Sequence, residues 1–184
     1  PNPGVDYPAD QISRLWAFMQ RGGRVCMAIN PTTDRVGRER GAFTSANGFF
    51  VLSNLDFGLS VGDNVIVQEA VINETPVLVP RFTTSDYDTS HPVLAGVEGE
   101  LAFNNARSVV VNLPGLGGST TGLIFAPEGF YGESAYQAYI DTGAHNFDIG
   151  ADTTPGRIPL AAAYDNPATG ARLVLFGDRD IVTN

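Results

Sequence analysis

The chain has 184 residues, 43% hydrophobic and 17% charged, which suits one ordinary globular domain and excludes a disordered segment. Its net charge of −9 disfavours non-specific attraction to nucleic acid or anionic lipid. All 11 basic residues are arginine, which excludes Schiff-base lysines, the phosphate-loop lysine and lysine general bases.

The single Cys26 excludes an internal disulfide, and no apolar run approaches the roughly eighteen residues of a transmembrane helix. The chain opens at Pro1 without methionine or a leader pattern, so it reads as a piece of something longer. After a Pro/Gly-rich lead-in, Ile12, Leu15, Trp16 and Met19 fall at i, i+3, i+4 and i+7 and predict one face of an amphipathic helix. Pro8 suits its first turn, and Gly22-Gly23 supplies the stop. Residues 25–29 predict a buried strand closed by Asn30-Pro31, with Cys26 as a buried structural thiol. Residues 32–47 are polar and read as a surface loop, in which Asp34 and Glu39 neutralise Arg35, Arg38 and Arg40.

Residues 49–57 predict a short helix ended by Gly58, and 64–68 a strand introduced by the Gly62-Asp63 turn. Prolines at both ends of 75–80 assign that strand to a sheet edge. A polar loop over 83–90 leads to a helical turn at 91–96. Strands follow at 108–112 and 123–126, separated by the glycine-rich 114–122 loop. Residues 132–140 predict a short helix and 145–156 a loop rich in Asp and Gly. The strands at 158–164 and 172–176 flank a turn-rich 165–170, which predicts a hairpin. The apolar run 173–176 stops at Gly177-Asp178, and Asp180 stands where a helix N-cap would precede Ile181 and Val182. A buried strand ending in this way puts polar groups at the carboxyl edge of a sheet, where open α/β folds bind ligands.

Five stretches occur in order along nearly the whole chain: Gln20-Arg-Gly-Gly-Arg-Val with Asn30-Pro31; Gly58-Leu-Ser-Val-Gly-Asp-Asn-Val-Ile-Val67; His91-Pro-Val-Leu-Ala-Gly-Val97; Phe103-Asn-Asn-Ala-Arg-Ser108; and Leu175-Phe-Gly-Asp-Arg-Asp180 with Asn184. In these the chain resembles the soluble domain of uncharacterised ABC-type transport auxiliary proteins of the gliding-motility type. That domain is similar to the N-terminal domain of an intraflagellar-transport protein. The resemblance implies a flavodoxin-like α/β fold, similar to class I glutamine amidotransferase domains: a three-layer sandwich with a mostly parallel sheet, to which the C-terminal hairpin contributes. It also implies an extracytoplasmic domain of a membrane-anchored protein working with an ABC permease. The implied role is non-catalytic binding or scaffolding, with carbohydrate as a ligand. Loops collecting at the carboxyl edge of the sheet suggest the alternative of a small-molecule or carbohydrate-binding module, and no cofactor is expected. The chain departs from the family by lacking the strand before its first helix, and by its larger 114–122 and 143–156 regions.

The side chains give little support to catalysis. Cys26 lies mid-strand without an elbow glycine, and Gly132-Glu-Ser134-Ala-Tyr136 ends in a bulky residue where the nucleophile elbow needs a small one. The hydrolase alternative needs Ser134 with His91 or His145 as its base. The 115–122 loop lacks the Walker lysine and runs into β-rich sequence where a phosphate loop runs into a helix. Asp148 and Asp152 lack EF-hand spacing, and two histidines with one buried cysteine make a poor zinc set. The remaining ligand-binding candidates are Asn30, Glu133, Asp178 and Asp180. For the two last aspartates, capping of the turn after the strand is the preferred role, and loss of the Asp178 cap would then cost about 1 kcal/mol.

Overall fold

The computed structural model describes residues 8–29, 41–144, 147–148 and 152–182. The predicted amphipathic stripe becomes α1 (Ala9–Gln20), with Met19 fully buried and Ile12, Leu15 and Trp16 packed beside it. Next come β1 (Arg24–Ala28), α2 (Gly41–Asp56), β2 (Leu59–Val61), β3 (Val65–Ile72), β4 (Thr75–Val79), β5 (Arg81–Thr84), β6 (Leu101–Asn104) and β7 (Val109–Val111). The rest is β8 (Ser119–Phe125), β9 (Tyr131–Glu133), α3 (Tyr136–Thr142), β10 (Pro159–Asn166), β11 (Ala171–Phe176) and a 3-10 turn over Asp180–Val182.

The central sheet runs β1-β11-β10-β8, and β10 and β11 form the hairpin predicted at the C-terminus. Residue alternation along β10 buries both faces. Ala161 and Ala163 join one core with Leu94, Phe103, Phe130 and Val174, while Ala162 and Tyr164 join the other with Met19, Phe49 and Phe57. Small side chains in β10 let a helical layer approach one face and short strands and turns the other. On the helical side, the Trp16 and Tyr164 rings lie 4.5 and 5.1 Å from that of Phe57.

The expected flavodoxin-like, amidotransferase-like three-layer sandwich with a mostly parallel sheet is not what forms. Of seven strand pairings one is parallel, β1 with β11, and the described residues hold three α-helices against eleven strands. The physical reason lies in the connections. A parallel pairing needs a crossover of about a dozen residues or more, whereas Asn73-Glu74, both at positive φ (50° and 64°), turn β3 straight back into β4. β4 is an edge strand, as its prolines predicted.

Two local expectations also change. Residues 41–47, read as loop, already belong to α2. Cys26, expected to be buried, is exposed, because β1 is the edge of the central sheet and one side of it lies open.

Candidate functional site

Three of the five ordered motifs, 58–67, 103–108 and 175–180, contribute to one junction between sheets. The Gly62 N–H donates to the Ser108 carbonyl at 2.8 Å, and the Ser108 N–H to Asn64 Oδ1 at 3.0 Å. Asn64 Nδ2 in turn donates to Ser108 Oγ and Thr153 Oγ1 at 2.9 and 2.8 Å. The buried Arg107 guanidinium donates to the Gly62 carbonyl from Nε at 2.8 Å and also from Nη2. Its own N–H reaches the Gly177 carbonyl at 2.8 Å, while the Gly177 N–H reaches Leu160 at 2.8 Å. Only glycine fits here, since a Cβ on residue 177 would lie 2.0 Å from the Arg107 carbonyl oxygen. The stretch 91–97 packs Val93, Leu94 and Val97 onto the core beside β10.

Asp178 completes the junction. It is fully buried, and its carboxylate accepts from the Asp180 N–H at 2.8 Å and the Asn104 N–H at 2.9 Å. The first contact is the expected turn cap; the second clamps the end of β6. Burial raises its carboxyl above the ordinary value, despite opposing help from these two amides.

Beside that clamp lie two adjoining hollows, which share Arg81 and Asn104 as a common wall. One, of about 560 Å³, is lined by Asn105, Tyr136, Gln137 and Tyr139 among others. The other, of about 620 Å³, lies over Phe82, Thr83 and Phe103 and has Asp180 on its rim. β5 and β6 pair Arg81 with Asn104, and Arg81 Nε donates to Asn104 Oδ1 at 3.1 Å. α3 brings the tyrosines: Tyr139 Oη accepts the Leu78 N–H at 3.0 Å, and the Tyr136 and Tyr139 ring centroids lie 5.7 Å apart.

Of the predicted site residues, Asp180 lines the site and Asp178 stands behind it. Glu133 is 2% exposed, and its Oε1 accepts the Ala135 N–H at 2.7 Å, which shapes the turn into α3. Asn30 lies outside the described residues, as do His145, Asp34, Arg35, Arg38, Glu39 and Arg40. Sequence reading missed Arg81, Asn104, Asn105, Tyr136, Gln137 and Tyr139. The visible signals were the Asn-Asn pair inside the Phe103–Ser108 stretch and the i, i+3 tyrosines.

The catalytic alternatives find other partners. Ser134 Oγ donates to Asp152 Oδ1 at 2.9 Å, and Ser134 N–H donates to the same oxygen at 2.8 Å. Asp152 Oδ2 accepts the Asp148 N–H at 2.7 Å, so this carboxylate organises a turn. His91 turns to Asp165: its Nδ1 accepts the Val93 N–H at 3.3 Å, and its Nε2 donates to Asp165 Oδ2 at 3.1 Å. Arg172 Nε binds the other oxygen of the same carboxylate. The 115–122 loop enters β8 at Ser119, and among the described residues no three His, Cys, Asp or Glu are grouped to hold a metal ion.

The Asp165 cluster fastens the 91–97 turn to the sheet. Burial pushes the Asp165 carboxyl up, but hydrogen bonds and charge from Arg172 and His91 together hold it below its ordinary value. A depressed folded value gives stability above the unfolded value that is lost as pH falls through the folded one. Asp165→Asn is therefore expected to cost about 1 kcal/mol at pH 7. The gap to wild type should close in acid, as read from urea melts at both pH values.

No protein-family model matches the chain, and no curated protein sequence matches it. The expected likeness to ABC-type transport and gliding-motility proteins thus finds no counterpart and is withdrawn. Among solved structures the chain resembles the mmIFT52 N-terminal domain, with 14% identity and a TM-score of 0.57 over 96% of this chain and 63% of that one. This chain therefore spans less than two thirds of that structure, and at such identity the likeness concerns fold alone. By fold, the chain is similar to the mmIFT52 N-terminal domain.

Proposed function

We propose that this domain is a non-catalytic binding module whose groove at Arg81 and Asn104 takes a polar small molecule or a short stretch of carbohydrate. The observation carrying this reading is the makeup of the groove: half-buried Tyr139 on one wall, backed by the buried Tyr136, and Asn104, Asn105, Gln137 and Arg81 presenting planar amide and guanidinium groups. Aromatic rings cover the apolar face of a sugar, while amides donate to and accept from its hydroxyls. A thermal-shift screen of mono- and oligosaccharides tests it. A true ligand at one hundred times its Kd stabilises by about 2.7 kcal/mol, which raises Tm by roughly 5 °C or more in a domain of this size. Gln137→Ala should reduce that rise without altering the ligand-free melt. A screen without any shift counts against the proposal.

No described helix is long and apolar enough to cross a membrane. A second reading, scaffolding toward a protein partner, is favoured by one surface. On α2, Val51 and Leu55 are 60% and 63% exposed, and Leu113, next to Asn112 whose amide donates to Asn54 of α2, is 92% exposed.

A further inference from the structure

We infer that the groove selects ligands bearing a carboxylate, which Arg81 reads. This inference rests on the proposed groove being the binding site. Among the described residues lining the two hollows, Arg81 is the one with a positive charge, and it stands where the hollows meet. Asn104 Oδ1 accepts its Nε–H at 3.1 Å and also receives Asn105 Nδ2 at 3.4 Å. One edge of the guanidinium is thereby tethered and its plane fixed. Among the described residues Arg81 forms no salt bridge. A guanidinium held by Nε presents its terminal amino groups as a ready fork, and the planar group matching that fork is a carboxylate.

Two further features narrow the class. Asp180 shares the second hollow with Arg81, so a dianionic phosphate meets more repulsion there than a monoanionic carboxylate. The chain carries a net charge of −9, so an anion is drawn to this surface only where a local cation outweighs the surrounding field. The ligand body then rests against Tyr139, with its carboxylate on Arg81 and its hydroxyls within reach of the amides. An acidic sugar, a uronic acid being the simplest, has all of these parts.

Titration calorimetry with two matched probes tests this: an oligogalacturonate and the neutral galactose oligosaccharide of equal length. The acidic probe is expected to bind at least about tenfold more tightly to the wild type. Arg81→Gln should abolish that preference, while Arg81→Lys, which keeps the charge but not the fork, should retain part of it. Arg81 is exposed, so both variants should keep the wild-type circular dichroism and Tm. Equal binding of the two probes by the wild type, or an undiminished preference in Arg81→Gln, overturns the carboxylate inference and leaves the groove as a binding site. Tighter binding of galactose 6-phosphate than of galacturonate also overturns it. Absence of binding by every probe overturns the inference, and a blank in the wider saccharide screen overturns the binding proposal with it.

Discussion

Arg107→Ala is expected to destabilise the fold by about 3–5 kcal/mol, a large part of the 5–15 kcal/mol that holds a typical domain together. Arg107 is 1% exposed, so its guanidinium has left water almost entirely. Burial pulls its pKa down to about 10, with the charge of Asp63 opposing that fall. What makes the position tolerable is the Gly62 carbonyl, which accepts from both Nε and Nη2. Truncation leaves a cavity the length of the side chain, which costs about 2–5 kcal/mol, and a half-buried carbonyl without its donors, which costs up to about 1–3 kcal/mol. Part of the loss returns because a desolvated charge has also gone. Arg107→Met isolates that part: it keeps most of the volume and drops the charge, so about 1–2 kcal/mol is expected. Urea melts of the three proteins check the order wild type, Met variant, Ala variant. An alanine variant as stable as wild type would mean that the junction between Gly62 and Gly177 is held by its backbone contacts alone.

How far the sequence reveals this architecture depends on the range of the interaction. Local signals read true. The stripe of Ile12, Leu15, Trp16 and Met19 became α1, the prolines of 75–80 marked an edge strand, and 165–170 turned a hairpin. Strand direction was not legible, because an apolar run has no polarity of its own. Leu173 to Phe176 is buried on both faces, yet it pairs parallel with β1 and antiparallel with β10. The same run cannot announce which strand is last in the sheet, so Cys26 looked interior although the edge leaves it exposed. The site divides along the same line. Asp180 was readable as an acid following a buried strand. Arg81 and Asn104 stand 23 residues apart and meet only through the β5–β6 pairing, which no local pattern specified.

Asp178 shows what a sequence motif leaves out of its own energetics. A cap at an exposed helix start is worth about 1 kcal/mol, and Asp178→Ala is instead expected to cost about 2–4 kcal/mol. The difference comes from the second contact and from depth. With the side chain gone, the half-buried Asn104 and Asp180 N–H groups both lose their partner, and each orphaned amide costs up to about 1–3 kcal/mol. Saccharide binding should weaken in the same variant, because the freed end of β6 carries Asn104 into the groove wall. The pH dependence separates burial from hydrogen bonding as the controlling influence. Burial raises the Asp178 carboxyl, Asp180 adds to the rise, and the amides of Asn104 and Asp180 with Arg179 offset only part of it. A folded value above the unfolded one means that the folded chain holds this proton more tightly. The contribution of Asp178 is then full below the unfolded value of about 3.9 and shrinks as pH climbs through the folded value. The margin of wild type over Asp178→Ala should accordingly be wider near about pH 4 than at pH 7. A margin that narrows in acid would show that the two amides stabilise the ionised carboxylate by more than its burial costs.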